Sequence, residues 1–315
     1  MSNIILDIIS EYLGLKQDIV IEACEKAQTS YKRYYIDKKN GGKRAIFHPS
    51  KLTKALQYAF IETVLSDLPV HNSAAAYVRG VKSPLLVNAE KHSPYPYSLR
   101  IDFTDFFPSI VPPDLIKIVR NAEKYKNITE EDEELMENAL FVRSAGGQVG
   151  LAIGAPSSPL ISNIVMYSID EELIKLASTI SPNSVYTRYA DDIVFSTAQK
   201  GGCNLFYSEC QKIIERIKSP KLSINFKKTI FSSKGSRRVI TGLYVCPNGD
   251  ISIGRENKRY IRKLLFDFKN GALPEDKRKY LSGYLSYILD VEQDYYNRLV
   301  IKYGADVVKN AHKLI

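Results

Sequence analysis

Apolar residues near the start of the chain recur at the spacing of an amphipathic helix. Ser2 or Asn3 precedes this run and can cap the helix at its N-terminus. Residues 1–30 are therefore predicted to be helical. The apolar positions are Ile4, Ile5, Ile8, Ile9, Tyr12 and Leu13.

Two strand-like runs in residues 34–50 surround Asn40-Gly41-Gly42, which predicts a β-hairpin closed by Pro49. Residues 52–68 return to helical spacing. The segment 71–98 is predicted to be irregular because it contains three helix breakers. These are Pro84, Pro94 and Pro96.

Strands and helices are mixed in the middle of the chain, whereas its end is helical. Residues 99–109 begin as a strand that Pro108 is expected to stop, and 129–132 has the form of a capping box before a solvated acidic helix. The other predicted elements are helices from Pro112, in 159–180, in 204–218 and after 254 with a break at 271–274, and strands in 185–197, 223–226, 238–245 and 250–254. This order predicts an α+β fold.

Composition is that of an ordinary globular protein, and 315 residues suffice for one large domain or two to three packed subdomains. The net charge of +9 is uneven: residues 200–315 carry 23 Lys and Arg against 11 Asp and Glu, whereas the first 199 carry 21 against 24. A basic last third indicates a polyanionic partner such as nucleic acid, although a basic solvated surface without a partner has the same composition.

Neither a disulfide framework nor a zinc site is predicted, because the four cysteines form no CxxC pair and the four histidines do not cluster with them. No apolar run approaches the roughly 18 residues of a membrane span. The N-terminus lacks the basic and apolar regions of a signal peptide. We expect a cytoplasmic protein without a membrane partner.

Three carboxylates occupy positions suited to metal-dependent chemistry. Asp102 lies near the end of an apolar strand, on the opposite face from Leu99 and Ile101. Asp191 and Asp192 lie at the turn between two strand-like runs, where adjacent carboxylates repel each other unless a cation neutralises them. Mg²⁺ suits an all-oxygen site that also binds substrate phosphates.

Asp102 and Asp191 must come from different strands, because many residues separate them. If those strands are neighbours, the carboxylates converge, and two metal ions about 3.5–4 Å apart could promote an in-line phosphoryl transfer. Taken singly, the Asp-Asp pair also fits a plain turn, and Asp102 also fits a helix cap. The combination favours a site for metal-assisted phosphoryl transfer.

The order of motifs resembles that of the reverse transcriptases over about residues 38–290. The series is DFTDFFPS at 102–109, GAPSSPLISN at 154–163 and YADD at 189–192. More narrowly, the chain resembles the bacterial retron reverse transcriptases. Asn88–His92 matches their NAxxH element, and Ile240–Gly242 is close to their VTG element.

This resemblance implies a right-hand polymerase fold, with an antiparallel palm sheet backed by helices and a mainly helical thumb. The parts expected are an N-terminal helical region (1–30), fingers (31–98), a palm that includes part of the fingers (99–254), and a thumb and RNA-binding region (255–315).

The resemblance also implies the catalytic roles. Asp102, Asp191 and the backbone carbonyl of Phe103 match ligands of two Mg²⁺ ions, for which Mn²⁺ can substitute, and Asp192 supports them. Phe107 matches the steric gate that excludes a 2′-hydroxyl, although it also fits core packing. Lys228 matches the lysine that protonates the leaving pyrophosphate, with Lys227 as a one-residue alternative.

The expected deoxynucleotide (dNTP) site includes Lys39 and Arg44 on the hairpin, which match residues that hold the triphosphate. Lys43 is a rival for either role, and a merely basic hairpin is the alternative. Gly154, Ala155 and Pro156 match the floor beneath the nucleotide. Ile153 replaces the Gln common before this glycine, so sugar discrimination is expected to rest more on Phe107.

Nucleic-acid contacts are expected along the motifs and on a basic helical stripe of the thumb. Several thumb tyrosines accompany the stripe; some could stack on bases, although packing suits most of them. The contact residues expected are Asn88, His92, Tyr189, Thr241, Gly242, Arg255, Lys258, Arg259, Arg262 and Lys263.

Retron membership would imply a dedicated structured noncoding RNA of the msr–msd type, partly copied into DNA from a guanosine 2′-hydroxyl to give branched msDNA. It would further imply a role in anti-phage defence beside a separate effector protein, with a host RNase H removing RNA, since no room for that domain follows the thumb. Two alternatives remain: a non-polymerising RNA-binding scaffold, and a DNA-templated or template-free polymerase.

Overall fold

The computed structural model describes residues 3–37, 41–144 and 146–313. Its α-helices are α1 (Ile4–Leu13), α2 (Gln17–Ala27), α3 (Lys51–Thr63), α4 (Pro84–His92), α5 (Phe106–Ser109), α6 (Pro112–Asn121), α7 (Glu130–Leu140), α8 (Ser158–Val165), α9 (Tyr167–Ile180), α10 (Gly202–Arg216), α11 (Arg255–Lys269), α12 (Glu275–Val291), α13 (Gln293–Tyr303) and α14 (Ala305–His312). Its strands are β1 (Tyr31–Asp37), β2 (Lys43–Pro49), β3 (Tyr97–Asp102), β4 (Val142–Arg143), β5 (Val149–Gly150), β6 (Val185–Tyr189), β7 (Asp192–Thr197), β8 (Ile230–Ser233), β9 (Arg238–Ile240), β10 (Leu243–Val245) and β11 (Ile251–Ser252).

The centre of the molecule is an antiparallel sheet in the order β6-β7-β3-β8. Leu99, Ile101 and Phe103 point into the main core, as their alternation predicts. Helices α9 and α10 contact the sheet and each other. Sheets and helices in this arrangement confirm the α+β class.

The N-terminal helices pack on α3 and α7 and extend the main core. The capping box at the start of α7 is confirmed, with Thr129 as the N-cap. Asp132, however, is fully buried rather than solvated. Its carboxylate accepts hydrogen bonds from the N–H groups of Ile5 and Leu6 at 3.1 and 3.0 Å, so it also satisfies the first turn of α1.

Two predictions that rested on proline were wrong. The segment 71–98 is not wholly irregular, because Pro84 occupies the first position of α4, where its missing N–H costs nothing. The strand before Pro108 ends at Asp102, and Pro108 lies inside the short helix α5. The predicted strand at 223–226 makes only a single bridge, from Ile224 to Phe103.

A second core joins β9–β11 to the helical C-terminal region. It includes Ala89 from α4 and Val194 from β7, and α4 contacts both β6 of the central sheet and α12 of the C-terminal region. The expected helical end and its break near 271–274 are confirmed, since α11 ends at Lys269 and α12 begins at Glu275. Within the described ranges, no helix is both long and apolar enough to cross a membrane.

Candidate active site

The three predicted carboxylates meet at one end of the central sheet. Asp102 is the last residue of β3 and stands directly opposite Asp192, the first residue of β7. Asp191 lies in the two-residue loop between β6 and β7. The N–H of Phe103 donates to the backbone carbonyl of Asp191 at 3.2 Å, which ties the end of β3 to this loop.

Burial and nearby negative charge make Asp191 and Asp192 costly to ionise. Burial, and then the negative charge of Asp102, raise the pKa of Asp191, while Lys228 and Arg44 oppose that rise. Burial raises the pKa of Asp192 to about 6, opposed chiefly by Arg100. Nε of Arg100 lies 3.6 Å from Oδ1 of Asp192, too far for a hydrogen bond.

Lys228 supplies the positive charge nearest to Asp102. Its Nζ donates to Oδ1 and Oδ2 of Asp102 at 3.0 and 2.9 Å. The short 3₁₀ helix Phe226–Lys228 presents this side chain, and the N–H of Asn225 donates to the carbonyl of Asp102 at 2.8 Å. Lys227 is exposed and makes no salt bridge in the described part of the chain. Of the two lysines, Lys228 is therefore the one that contacts Asp102.

A buried ion pair stabilises the loop that carries Asp191. Arg188 and Asp170 are both fully buried, with the guanidinium Nη2 2.7 Å from Oδ2 of Asp170. Nη1 of Arg188 donates to Oδ1 of Asn163 at 3.0 Å and to the carbonyl of Ala190 at 3.3 Å. Ala190 has φ 55°, a strained value for a residue with a Cβ, and this network holds it there.

A close backbone approach joins the predicted nucleotide floor to the hairpin that carries Arg44. The N–H of Phe47 on β2 donates to the carbonyl of Ile153 at 2.8 Å. A Cβ at Gly154, where φ is 110°, would lie 2.9 Å from the carbonyl oxygen of Phe47. Ala155 is buried and Pro156 half-buried, and Arg44 is exposed on β2. Lys39 lies outside the described residues.

Phe107 is half-buried at the end of a row of aromatic rings. The rings of Phe103 and Phe106 stack at 5.9 Å, and those of Phe106 and Phe107 meet edge to face at 5.4 Å. Phe106 is buried in the main core. The packing of Phe106 anchors the start of α5, and part of the Phe107 ring stays exposed.

Comparisons with known proteins agree with this geometry. The family described as "Reverse transcriptase (RNA-dependent DNA polymerase)" matches residues 36–282. The chain is 35% identical to the retron Ec83 reverse transcriptase of Escherichia coli, over 94% of this chain and 93% of that protein. It is 38% identical to the retron Ec73 reverse transcriptase of Escherichia coli, over 90% and 91%.

The chain belongs to the retron reverse transcriptases. It is an RNA-directed DNA polymerase with the reverse transcriptase fold. Among solved structures, apo telomerase from Candida tropicalis aligns at 14% identity with a TM-score of 0.49, over 91% of this chain and 59% of that one.

The NAxxH element of this reverse transcriptase lies in the interior, so the prediction that Asn88 and His92 contact nucleic acid is not supported by their position. Both are fully buried. The ring of His92 bonds to Thr187 of β6 at 2.7 Å and to Ser196 of β7 at 2.9 Å, which fastens α4 to the strands of the YADD hairpin. Neither amide atom of Asn88 has a hydrogen-bond partner among the described residues, and nothing in the structure explains this.

The expected nucleic-acid residues outside that element are mostly accessible. Thr241 and Gly242 form a two-residue turn between β9 and β10, both with positive φ, as a type I′ turn requires. Tyr189 is half-buried, and burial raises its pKa. Lys258 is an exception, because it pairs with Glu292. The exposed basic residues of α11 are Arg255, Arg259, Arg262 and Lys263.

Sequence reasoning missed Tyr77, which lies in the segment predicted to be irregular. Burial raises its pKa, as do the nearby charges of Tyr189 and Asp191, and Arg44 opposes them. The side chain is half exposed and borders a groove of about 560 Å³ beside Pro156. Its φ of 61° is rare for a bulky residue. A tyrosine two positions before Arg79 was the only hint in the sequence, since no periodicity marks this segment.

The chemistry of the site fits divalent cations, which reverse transcriptases generally use. All three acidic side chains offer oxygen ligands, and Oδ1 of Asp192 is buried without a hydrogen-bond partner in the described chain. Across the described ranges, no group of three or more His, Cys, Asp or Glu side chains is already arranged around a metal position. In this state the ammonium of Lys228 neutralises Asp102.

Proposed function

We propose that this reverse transcriptase copies part of a dedicated, structured noncoding RNA of the msr–msd type, with dNTPs as substrates, at the site formed by Asp102, Asp191 and Asp192. The observation that carries the proposal is the direct opposition of Asp102 and Asp192 across β3 and β7, with Asp191 in the adjoining loop. Carboxylates from neighbouring strands at one sheet end suit metal-assisted phosphoryl transfer.

In this proposal, Asp102, Asp191 and the carbonyl of Phe103 hold two Mg²⁺ ions, and Asp192 supports them. Mg²⁺ fits the oxygen donors and the substrate phosphates, and Mn²⁺ can replace it. Bound there, the ions would lower the pKa of the attacking hydroxyl and neutralise the leaving pyrophosphate. Lys228 then protonates the pyrophosphate as a general acid, since its Nζ already lies at the carboxylate group.

Residues around the three carboxylates are proposed to select the nucleotide. Arg44, together with Lys39, binds the triphosphate. The positive charge of Arg44 also lowers the pKa of Asp191, which supports a place for Arg44 near the carboxylates. Gly154, Ala155 and Pro156 form the floor beneath the base pair. Phe107 acts as the gate against a 2′-hydroxyl, because Ile153 has no side-chain hydrogen-bond donor and Phe106 already fills the core position beside it.

In this proposal the chain is divided into an N-terminal helical region, fingers, palm and thumb. The fingers (31–98) and palm (99–254) surround the carboxylates. The N-terminal helical region (1–30) packs against these two subdomains and supports them. The thumb (255–315) takes the nucleic acid through the exposed residues of α11. The nucleic-acid contacts proposed are Tyr189, Thr241, Gly242, Arg255, Arg259, Arg262 and Lys263.

Synthesis is proposed to begin at the 2′-hydroxyl of a guanosine in the same RNA and to leave a branched RNA–DNA product, msDNA. A host RNase H removes copied RNA in the cytoplasm, and a separate effector protein completes an anti-phage system. The similarity to the retron Ec83 and Ec73 reverse transcriptases supports these assignments.

The test is to purify the protein from cells with its own nucleic acid and to treat that nucleic acid separately with RNase and DNase. A short DNA joined to RNA is the expected product. RNA that stays unextended after addition of Mg²⁺ and all four dNTPs would favour the non-polymerising scaffold. Extension on DNA templates but not on RNA templates, or extension without any template, would favour a DNA-templated or template-free polymerase.

A further inference from the structure

Four tyrosines form a continuous row across helices α11 and α12. The rings of Tyr260 and Tyr280 meet edge to face at 5.8 Å, those of Tyr280 and Tyr284 stack at 5.5 Å, and those of Tyr284 and Tyr287 meet at 5.4 Å. The last three residues lie on one side of α12, because they are three or four positions apart. We call these four residues the tyrosine row.

Other tyrosines of the same region show what a structural role looks like. Tyr295 and Tyr303 are buried, and their hydroxyls donate to the carbonyls of Lys258 and Arg262, each at 2.9 Å. Within the described chain, no hydroxyl of the tyrosine row has a hydrogen-bond partner. Tyr260 and Tyr280 are 39% and 44% exposed. Tyr260 and Tyr280 therefore present ring surface to solvent, whereas Tyr284 and Tyr287 are half-buried and pack against the second core.

Gly283 keeps one side of the row open. It is an exposed residue in the middle of α12, three positions after Tyr280 and one before Tyr284. A Cβ built there meets nothing within 4 Å, so no packing contact demands glycine. Because glycine inside a helix costs stability relative to alanine, its presence points to a use for the space beside the rings.

Charge at the open end of the row suits a polyanion. Lys277 lies close enough to oppose the rise in the pKa of Tyr280, and Lys263 follows Tyr260 by three residues on α11. Asp290 and Glu292 act on Tyr287 at the other end. A phosphate backbone would therefore be attracted to the Tyr260–Tyr280 end.

We propose that the tyrosine row binds unpaired bases of single-stranded RNA by stacking, while Lys263 and Lys277 contact the adjoining phosphates. Every base has a π-face, so such a row accepts single strands with little sequence preference, whereas paired bases in a duplex hide theirs. The proposal rests on the proposed function only in taking RNA as the partner, and none of the four tyrosines is among the residues predicted to bind metal or dNTP.

Binding of a fluorescently labelled, unstructured RNA oligonucleotide and of an RNA hairpin tests the proposal in the absence of dNTPs. The variants are Tyr280→Leu, Tyr280→Phe and Gly283→Gln. Leucine should weaken single-strand binding about 5- to 100-fold, the range of one lost stacking contact, and should change hairpin binding little. Phenylalanine should bind like the unchanged protein. Gly283→Gln should also weaken single-strand binding, although it favours the helix.

Tyr12→Leu is the matched control, because Tyr12 is equally exposed but lies on α1. Unchanged single-strand binding by Tyr280→Leu, or an equal loss on the oligonucleotide and the hairpin, would overturn the proposal. Primer extension by the same proteins keeps the two proposals separate. If the unchanged protein extends primers and the variants of the tyrosine row still bind single strands normally, the proposal for the row is refuted and the proposed function is not.

Discussion

Lys228 and Asp102 form the closest charge pair at the candidate active site, with Nζ 3.0 and 2.9 Å from the two carboxylate oxygens. Asp102 is buried, whereas nearly half of the Lys228 side chain is exposed. The ammonium thus reaches in from the surface and stands where a divalent cation would also be attracted. The pair links the proposed general acid to a proposed metal ligand.

Lys228→Gln should slow single-turnover dNTP incorporation by about 10²–10⁴-fold, the usual contribution of a general acid. It should also lower the Mg²⁺ concentration needed for half-maximal rate, because no ammonium then competes for Asp102. Rapid-quench assays over a Mg²⁺ series measure both effects. Lys227→Gln is the matched control and should behave like the unchanged enzyme; equal losses in the two variants would refute the assignment.

Gly154→Ala should loosen the contact between the proposed nucleotide floor and β2. The new Cβ would lie 2.9 Å from the carbonyl oxygen of Phe47, at a φ that alanine rarely adopts. We expect a loss of about 1–3 kcal/mol in the free energy of unfolding and a higher KM for dNTPs, since Arg44 shifts with β2. Urea unfolding and steady-state kinetics measure these effects.

Gly235→Ala supplies the comparison for that variant, because a Cβ at Gly235 meets nothing within 4 Å and no positive φ applies there. Stability and KM should stay near those of the unchanged enzyme. If both alanine variants raise the KM alike, the close approach at Gly154 is not what positions the hairpin.

Arg188→Met should destabilise the protein by about 3–5 kcal/mol, because it leaves the buried carboxylate of Asp170 unpaired. The double variant Asp170→Leu/Arg188→Met should recover much of that stability, since no buried charge is left alone. Incorporation should stay low in both, because the bonds to Asn163 and the Ala190 carbonyl are lost. Full activity in the double variant would show that the network does not position the loop.

His92 should make the protein less stable as the pH falls below neutral. Burial, and then the charges of Lys91 and Arg238, lower its pKa to about 3 in the folded state, from about 6.5 in an unfolded chain. The unfolded state therefore binds more protons between these values, and stability rises with pH in that window. From pH 7 to pH 5 this one group should remove about 2 kcal/mol.

Urea unfolding of the unchanged protein and of His92→Gln at both pH values measures this effect. Glutamine cannot titrate, so the variant should lose less stability on acidification. An equal loss in the two proteins would mean that His92 is not held neutral between Thr187 and Ser196.

Much of the site could be predicted from the sequence because local patterns carry it. Alternation around Asp102 and the two short strands around YADD are sufficient to place the carboxylates at strand ends. The positions of Asn88 and His92 could not be predicted, since their burial depends on how α4 packs against the central sheet and the second core. Proline misled at Pro84, which begins a helix as readily as it breaks one.

Pairs of residues that are far apart in the sequence could not be predicted either. Nothing near Arg188 indicates Asp170 as its partner, and nothing in the acidic run of α7 separates Asp132, which caps α1, from its solvated neighbours. Tyr77 depends on a backbone conformation that its own residue type disfavours. Tertiary packing decides each of these positions.

The central claim is that polymerisation occurs at the meeting of β3 and β7. The most direct measurement compares the unchanged protein with Asp191→Asn for dNTP incorporation on an RNA template with Mg²⁺, and for RNA binding under the same conditions. Synthesis should be abolished while RNA binding stays largely intact, because we propose that the exposed basic residues of the C-terminal region carry most phosphate contacts. Continued synthesis by Asp191→Asn, or loss of RNA binding together with synthesis, would contradict this account.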